Sequence, residues 1–296
     1  MRLSLALLLA TIAAALLAPP AAVLITRAGF HHVPFPRIFD RTVMLTAALV
    51  LILQARGLRL LSLIQSGFAN PRGLASRLQM ISLGLAISLS IIAIFWIVAI
   101  MLAPPGARID WRAITVALPR LTLAAAVIAV IEEAFFRAFF LKGLGADFGS
   151  WPALIISSAI YSAAHLVRSP ERFYLASLDW IAGFRCIASG LSNLAAPESA
   201  ATLLGLFLLG LLLGRAFLAN ASVYLPIGIH AGFVLGAKVW RLGAPTAALL
   251  PHWLGGYGSQ PLISGVAAWI AALVLLFCIG PISSFATRSD SRPQSS

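Results

Sequence analysis

Residues 78–102 of the chain read LQMISLGLAISLSIIAIFWIVAIML, a run that contains no charged side chain. An α-helix needs about 20 mostly apolar residues to cross the hydrocarbon core of a bilayer, and this run supplies them. The sequence Ala103-Pro104-Pro105-Gly106 follows directly and ends the helix, because proline cannot continue it. The stretch therefore predicts a transmembrane helix and, with it, a membrane protein.

The composition of the whole chain agrees with this prediction. Of its 296 residues, 60% are hydrophobic and 10% are charged, and the mean hydropathy is +0.98. Soluble globular proteins carry about 25% charged residues. The composition thus excludes a soluble enzyme, a disordered protein and a nucleic-acid binder of the usual kind. We interpret the net charge of +12 as loop charge that faces anionic lipid headgroups.

Apolar runs recur along the chain, so the predicted fold class is all-α, a polytopic transmembrane helix bundle with about eight spans. We expect one transmembrane domain over residues 1–283, with a motif-bearing core at 117–241 and a polar, disordered tail at 284–296. Two arginine-rich segments, 55–78 and 168–199, are typical of interfacial or re-entrant helices. The first run also fits a cleaved signal peptide. The predicted spans are 3–25, 42–54, 78–102, 117–141, 151–167, 200–218, 223–240 and 262–279.

Three ionisable residues fall inside the predicted fourth span, namely Glu132, Glu133 and Arg137. Each charge at membrane depth costs about 2.5–3.5 kcal/mol on insertion scales, which makes such residues functional candidates. The spacing of four places Glu133 and Arg137 on one helix face, where they can pair. Glu132 points about 100° away from Glu133 and has no obvious partner on its own helix, which suits a general base. The alternative is a structural charge pair that locks helix packing.

Two histidines lie in other predicted spans. His165 shares a helix face with Tyr161, and His230 lies in the seventh span. A single histidine in such a span is more often a core residue bonded to a carbonyl oxygen. Counting the helical rise from each end of the spans, however, brings Glu132, His165 and His230 into one layer about 10 Å deep. Small neighbours can let the helices approach closely or leave room for water. These neighbours are Ser162, Ala163, Ala164, Gly228, Ala231 and Gly232.

The order and spacing of these motifs resemble those of the CPBP family, the CAAX-protease and bacteriocin-processing intramembrane peptidases, also called the Abi family. The resemblance covers roughly residues 117–241. It implies a bundle of about eight transmembrane helices and endopeptidase cleavage of a membrane-associated peptide or protein. By the same resemblance Glu132 activates water, His165 helps to hold that water and His230 binds the developing oxyanion. Our mechanistic hypothesis adds Glu133 and Arg137 as a supporting pair that orients Glu132.

The chain departs from the family pattern at two positions. Tyr161 stands where the family usually has phenylalanine, which adds a hydroxyl group. Val234 stands where the family usually has asparagine, which removes a hydrogen-bond donor four residues after His230. Since loss of one oxyanion donor costs about 10²–10³ in rate, either another donor substitutes or the activity is impaired.

No cofactor follows with certainty from the sequence. A divalent metal such as zinc is possible, with Glu132, His165 and His230 as candidate ligands, although no HExxH motif is present.

The expected partners are membrane lipid and a membrane-associated substrate, without nucleic acid. Because Lys142 and Lys238 are the chain's only lysines, the arginine bias indicates a GC-rich bacterial genome and hence the cytoplasmic membrane. Rival functions are a proton-coupled transporter and a non-enzymatic scaffold or immunity protein.

Overall fold

The computed structural model describes residues 2–53, 60–69, 73–104, 108–167, 172–243, 250–257 and 262–289. These residues form helices and connecting turns, with no strand among them, which confirms the all-α fold class. A π-helix (Ala134–Leu141) joins the fifth α-helix to the sixth, and a 3₁₀ turn (Pro197–Ser199) precedes the ninth. The α-helices are α1 (Arg2–Arg27), α2 (Phe35–Leu53), α3 (Leu60–Phe68), α4 (Gly73–Leu102), α5 (Trp111–Glu133), α6 (Lys142–Phe148), α7 (Ser150–Leu166), α8 (Ala182–Ala195), α9 (Ala200–Asn220), α10 (Tyr224–Leu242), α11 (His252–Gly255) and α12 (Val266–Ser289).

Several of these helices are suited to a bilayer. Within the described ranges, four are long and apolar enough to cross a membrane: Leu8–Arg27, Gly73–Leu102, Trp111–Phe148 and Pro197–Asn220. The apolar part of α12, Val266–Ile279, is shorter. The chain is thus a multi-pass membrane protein, whereas the number of about eight spans stays a prediction.

The chain divides into two compact units that alternate along the sequence. The first comprises residues 1–62 and 163–200, and the second comprises 63–162 and 201–296. Helix α7 contributes to both units, because the division falls between Ser162 and Ala163. The expected single domain over 1–283 stays a prediction.

The first unit is built on an alanine face of α1. Ala14, Ala15, Ala18 and Ala22 are buried there, against aromatic and aliphatic side chains of α2 and the start of α8. A Cβ atom on Gly183 of α8 would overlap the backbone of Ala15, lying 2.6 Å from its Cα. The small side chains therefore let α8 lie directly on the backbone of α1.

The centre of the second unit is a crossing of α4 and α10. A Cβ atom on Gly84 would lie 2.6 Å from the backbone nitrogen of Ile229 and 2.6 Å from the carbonyl oxygen of Leu225. Across the crossing, a Cβ on Gly228 would lie 3.0 Å from the Cα of Gly84. Only glycine fits at this approach, which confirms the prediction that Gly228 permits close helix packing. The crossing places the middle of α10, including His230, in the interior.

The segment after α5 departs from α-helical geometry. Residues Ala134–Leu141 form a π-helix, whereas the sequence analysis assumed an α-helix throughout. Phe135 and Phe140, five residues apart, stack with ring centroids 6.3 Å apart and planes inclined by 7°. The i to i+5 repeat of a π-helix explains this stacking, and π segments are frequent at functional sites. The helical rise used for the depth argument therefore does not hold over this segment.

The end of the chain is more helical than expected. Helix α12 continues through Gly280 and Pro281 to Ser289, so residues 284–289 are helical and do not belong to a disordered tail. Adding residues to an existing helix is far easier than starting one, and Ala286 and Arg288 favour helix. The remaining predicted tail residues, 290–296, lie outside the described residues, as do 55–59, 70–72 and 168–171 of the two arginine-rich segments and residue 54 of the predicted span 42–54.

Candidate active site

Three helical segments of the second unit bring candidate residues together. The end of α5 carries Glu132 and Glu133, the π-helix carries Arg137, and α10 carries His230. Asp110 caps the start of α5 by accepting a hydrogen bond from the backbone nitrogen of Ala113 at 2.8 Å. The glutamates thus lie at the opposite end of α5 from its capped start.

Glu133 and Arg137 form a buried ion pair. The Nε atom of Arg137 lies 3.3 Å from Oε2 of Glu133, and the side chains are 1% and 0% exposed. The predicted pairing at a spacing of four is therefore confirmed, even though the pair spans the junction of α5 and the π-helix. A buried charge with its counter-charge removed is strongly destabilising, so the two residues require each other.

Glu133 also reaches across to α10. Its Oε1 atom lies 2.8 Å from Nδ1 of His230, whose side chain is 2% exposed. With Glu133 ionised, the Nδ1–H group of His230 donates to the carboxylate, which fixes the orientation of the imidazole ring. The spacing of four predicted the pairing with Arg137 alone. The contact with His230 joins residues far apart in the chain, so spacing could not predict it.

Glu132 faces the other nitrogen of the same ring. Its Oε2 atom lies 3.8 Å from Nε2 of His230, and its side chain is 26% exposed. The sequence indicated no partner for Glu132 on its own helix, and the structure supplies one from α10. Both glutamates therefore lie next to His230, Glu133 at Nδ1 and the more exposed Glu132 at Nε2.

Tyr161 of α7 completes the surroundings of the ring. Its hydroxyl lies 3.5 Å from Nε2 of His230. The guanidinium of Arg137 lies over the Tyr161 ring, with Cζ 4.9 Å from the centroid, and Phe136 meets that ring edge-on at 5.1 Å. These contacts hold a buried phenol in place beside His230. The extra hydroxyl of Tyr161 is evident from the sequence, but Tyr161 was not among the predicted site residues.

The charges of this cluster can be balanced by one proton. Counting Glu132, Glu133, Arg137 and His230 alone, the sum is zero when His230 carries a proton on both ring nitrogens. Unbalanced charge is costly in a buried, low-dielectric setting. Oε2 of Glu132 lies 3.8 Å from Nε2 of His230, which is too far for a direct hydrogen bond but close enough for both groups to contact one water molecule, as general acid–base catalysis allows.

A comparison with protein families assigns the segment that holds these residues. Residues 114–236 match the family model of the Rce1-like type II CAAX prenyl endopeptidases. The matched segment is similar to Rce1-like domains. It spans less than half of the chain and lies largely within the predicted motif-bearing core, and it confirms the resemblance to the CPBP family. No curated protein and no solved structure matches the chain.

Two further positions of the Rce1-like domain were singled out from the sequence. His165 lies one residue before the end of α7, is partly exposed and belongs to the first compact unit. Its role in holding water stays a prediction. Val234 lies one turn after His230 on α10 and is partly buried. Its side chain carries no hydrogen-bond donor, so Val234 cannot supply the hydrogen bond that an asparagine at this position would donate.

A metal site in this segment would need several His, Cys, Asp or Glu side chains close together. A zinc site requires three or four ligands from His, Cys, Asp or Glu. In the part of the chain that the structure describes, no group of three or more such side chains could hold a metal ion. The candidate zinc ligands Glu132, His165 and His230 therefore gain no support, and no step proposed below passes through a metal.

Proposed function

We propose that the protein is an intramembrane endopeptidase that hydrolyses a peptide bond with a glutamate-activated water. The observation that carries the proposal is the pair of glutamates on the two nitrogens of buried His230, within an Rce1-like domain. One glutamate fixes the ring and the other remains partly exposed, which separates an orienting role from a reacting role.

The proposed reaction begins at Glu132. Its carboxylate takes a proton from a water molecule, and the water oxygen bonds to the carbonyl carbon of the scissile peptide. The electron pair of the carbonyl moves to its oxygen, and Nε2–H of His230 donates a hydrogen bond to this oxyanion. Glu132 then passes its proton to the peptide nitrogen as the carbon–nitrogen bond breaks, giving one carboxyl group and one amine.

The remaining residues position this pair. Glu133 accepts from Nδ1–H of His230, and Arg137 neutralises Glu133 on its other side. His165 helps to hold the water, as the family resemblance implies. The substrate is a membrane-associated peptide or protein, the surrounding partner is membrane lipid, and the location is a bacterial cytoplasmic membrane.

The proposal is tested by cleavage in proteoliposomes that contain the full chain. The probe is a pool of synthetic peptides with a transmembrane or lipid anchor, farnesylated peptides included, and mass spectrometry identifies the cleaved bonds. We expect wild-type cleavage that Glu132→Gln lowers by about 10²–10⁴, the usual contribution of a general base. His165→Ala is expected to lower it as well.

Glu198→Gln serves as the matched control, because this glutamate is exposed in the 3₁₀ turn and has no part in the proposed reaction. It should cleave like the wild type. Cleavage that survives Glu132→Gln would overturn the proposal. Proton or solute flux into the vesicles without cleavage would favour the carrier, and a cellular activity retained in both site variants would favour the scaffold.

A further inference from the structure

We propose that the hydroxyl of Tyr161 is a catalytic hydrogen-bond donor that binds the oxyanion together with His230. The inference rests on the proposed hydrolysis and adds a residue to it. It assigns to α7 a group that acts on the reacting oxygen, in addition to the groups on α5 and α10.

The position of the hydroxyl carries the argument. Tyr161 Oη lies 3.5 Å from Nε2 of His230, and Oε2 of Glu132 lies 3.8 Å from the same nitrogen. The hydroxyl and the proposed base therefore lie on the same side of the imidazole, away from Glu133. An oxyanion formed by attack of a water at Glu132 arises within reach of both the hydroxyl and Nε2.

The oxyanion beside Nε2 of His230 needs a second hydrogen-bond donor. His230 can offer only one N–H group there, because its Nδ1–H donates to Glu133. Val234, one turn further along α10, has an apolar side chain. Among the described side chains that contact Nε2, Glu132 is the base and Tyr161 carries an O–H group. Tyr161 is thus the group that can donate alongside His230.

The Tyr161 side chain is fixed by its neighbours, as preorganisation of a hydrogen-bond donor requires. It is 1% exposed, its ring lies under the Arg137 guanidinium and Phe136 packs on it edge-on at 86°. These contacts restrict the movement of the ring and hold its hydroxyl beside His230. Donors fixed in advance toward a developing charge stabilise the transition state without reorganisation.

The test combines Tyr161→Phe with Val234→Asn, measured as kcat and KM on a cleaved peptide of the anchored pool. Removing one oxyanion donor lowers the rate by about 10²–10³, so Tyr161→Phe should lower kcat by that factor with little change in KM. Val234→Asn adds an amide one turn from His230. In the Tyr161→Phe background it should restore kcat at least tenfold.

Tyr224→Phe is the control for removal of a tyrosine hydroxyl in the same unit. Its hydroxyl donates to the carbonyl oxygen of Phe68 at 2.9 Å and has no part in the reaction. We expect kcat to stay at the wild-type value, because the proposed reaction makes no use of this hydroxyl. Melting temperatures in detergent are recorded for every variant, so that loss of fold is seen directly.

The outcomes separate this inference from the proposed function. Absence of cleavage by the wild type would overturn the proposed function and this inference with it. Full kcat in Tyr161→Phe would overturn the inference alone, as would a loss that tracks a fall in melting temperature or a rise in KM. A kcat of the double variant equal to that of Tyr161→Phe would also contradict the inference, because the added amide would then not replace the hydroxyl as a donor to the oxyanion.

Discussion

Nδ1 of His230 lies 2.8 Å from Oε1 of Glu133, a residue 97 positions earlier in the chain, and both side chains are buried. Glu133 is paired with Arg137 through its other oxygen. The contact therefore links α10 to α5 through charge, at the point where the π-helix begins. In the reaction we propose, Glu133 holds the imidazole and the adjacent Glu132 reacts.

The two glutamates should differ in their effect on stability. Glu133→Gln leaves the Arg137 charge buried without a counter-charge, which costs about 3–5 kcal/mol. Glu132→Gln should cost much less, because this side chain is 26% exposed. Thermal melting in detergent checks the order. Equal melting temperatures for the two variants would contradict the assignment of Glu133 as the structural member.

The ion pair itself can be tested with a double variant. Arg137→Met added to Glu133→Gln removes both charges, so the double variant should be more stable than the sum of the single losses predicts. Coupling between such contacting residues is about 0.5–3 kcal/mol. A double-mutant cycle of melting curves measures it. Strict additivity would mean that the pair contributes nothing.

The crossing of α4 and α10 depends on Gly84. Gly84→Ala places a methyl group 2.6 Å from backbone atoms of α10, which cannot rotate away. We expect a loss of about 1–3 kcal/mol, the usual cost of overpacking. Gly145→Ala is the control, since a Cβ there has no neighbour within 4 Å. It should be neutral or stabilising, and an equal loss in both variants would contradict the packing argument.

The turn between α9 and α10 contains a strained residue. Ala221 has φ of 50°, a left-handed conformation that disfavours side chains other than glycine. Ala221→Gly should raise stability by about 0.5–1 kcal/mol, after allowance for the larger entropy of the unfolded chain. Ala219→Gly, in the last turn of α9, should lower it by a similar amount. The two melting temperatures should move in opposite directions; a shift in the same direction would contradict the strain.

Much of the fold could be predicted from the sequence because the bilayer imposes length and polarity on each helix. The run at 78–102 lies within α4, and the small residues of α10 predicted close packing. The π-helix could not be predicted in this way, because its four phenylalanines and arginine suit an α-helix equally well. Its different repeat changes which side chains stack, as Phe135 and Phe140 show.

The sequence predicted those contacts of the candidate site that depend on local spacing, and missed those between separate helices. Local spacing is sufficient for the pair of Glu133 and Arg137, which lie one turn apart. The contacts of His230 join separate helices, and their partners depend on how the helices rotate about their axes. The role we propose for Tyr161 has a signal in the sequence, because Tyr161 gains a hydroxyl while Val234 lacks an amide.

Hydrolysis in water enriched in ¹⁸O tests the central claim most directly. The full chain in proteoliposomes is given an anchored peptide that it cleaves, and mass spectrometry reads the new carboxyl terminus. If Glu132 activates water, the wild-type product carries ¹⁸O in that carboxyl group and Glu132→Gln forms product slower by about 10²–10⁴. Labelled product formed at the wild-type rate by Glu132→Gln would contradict the account.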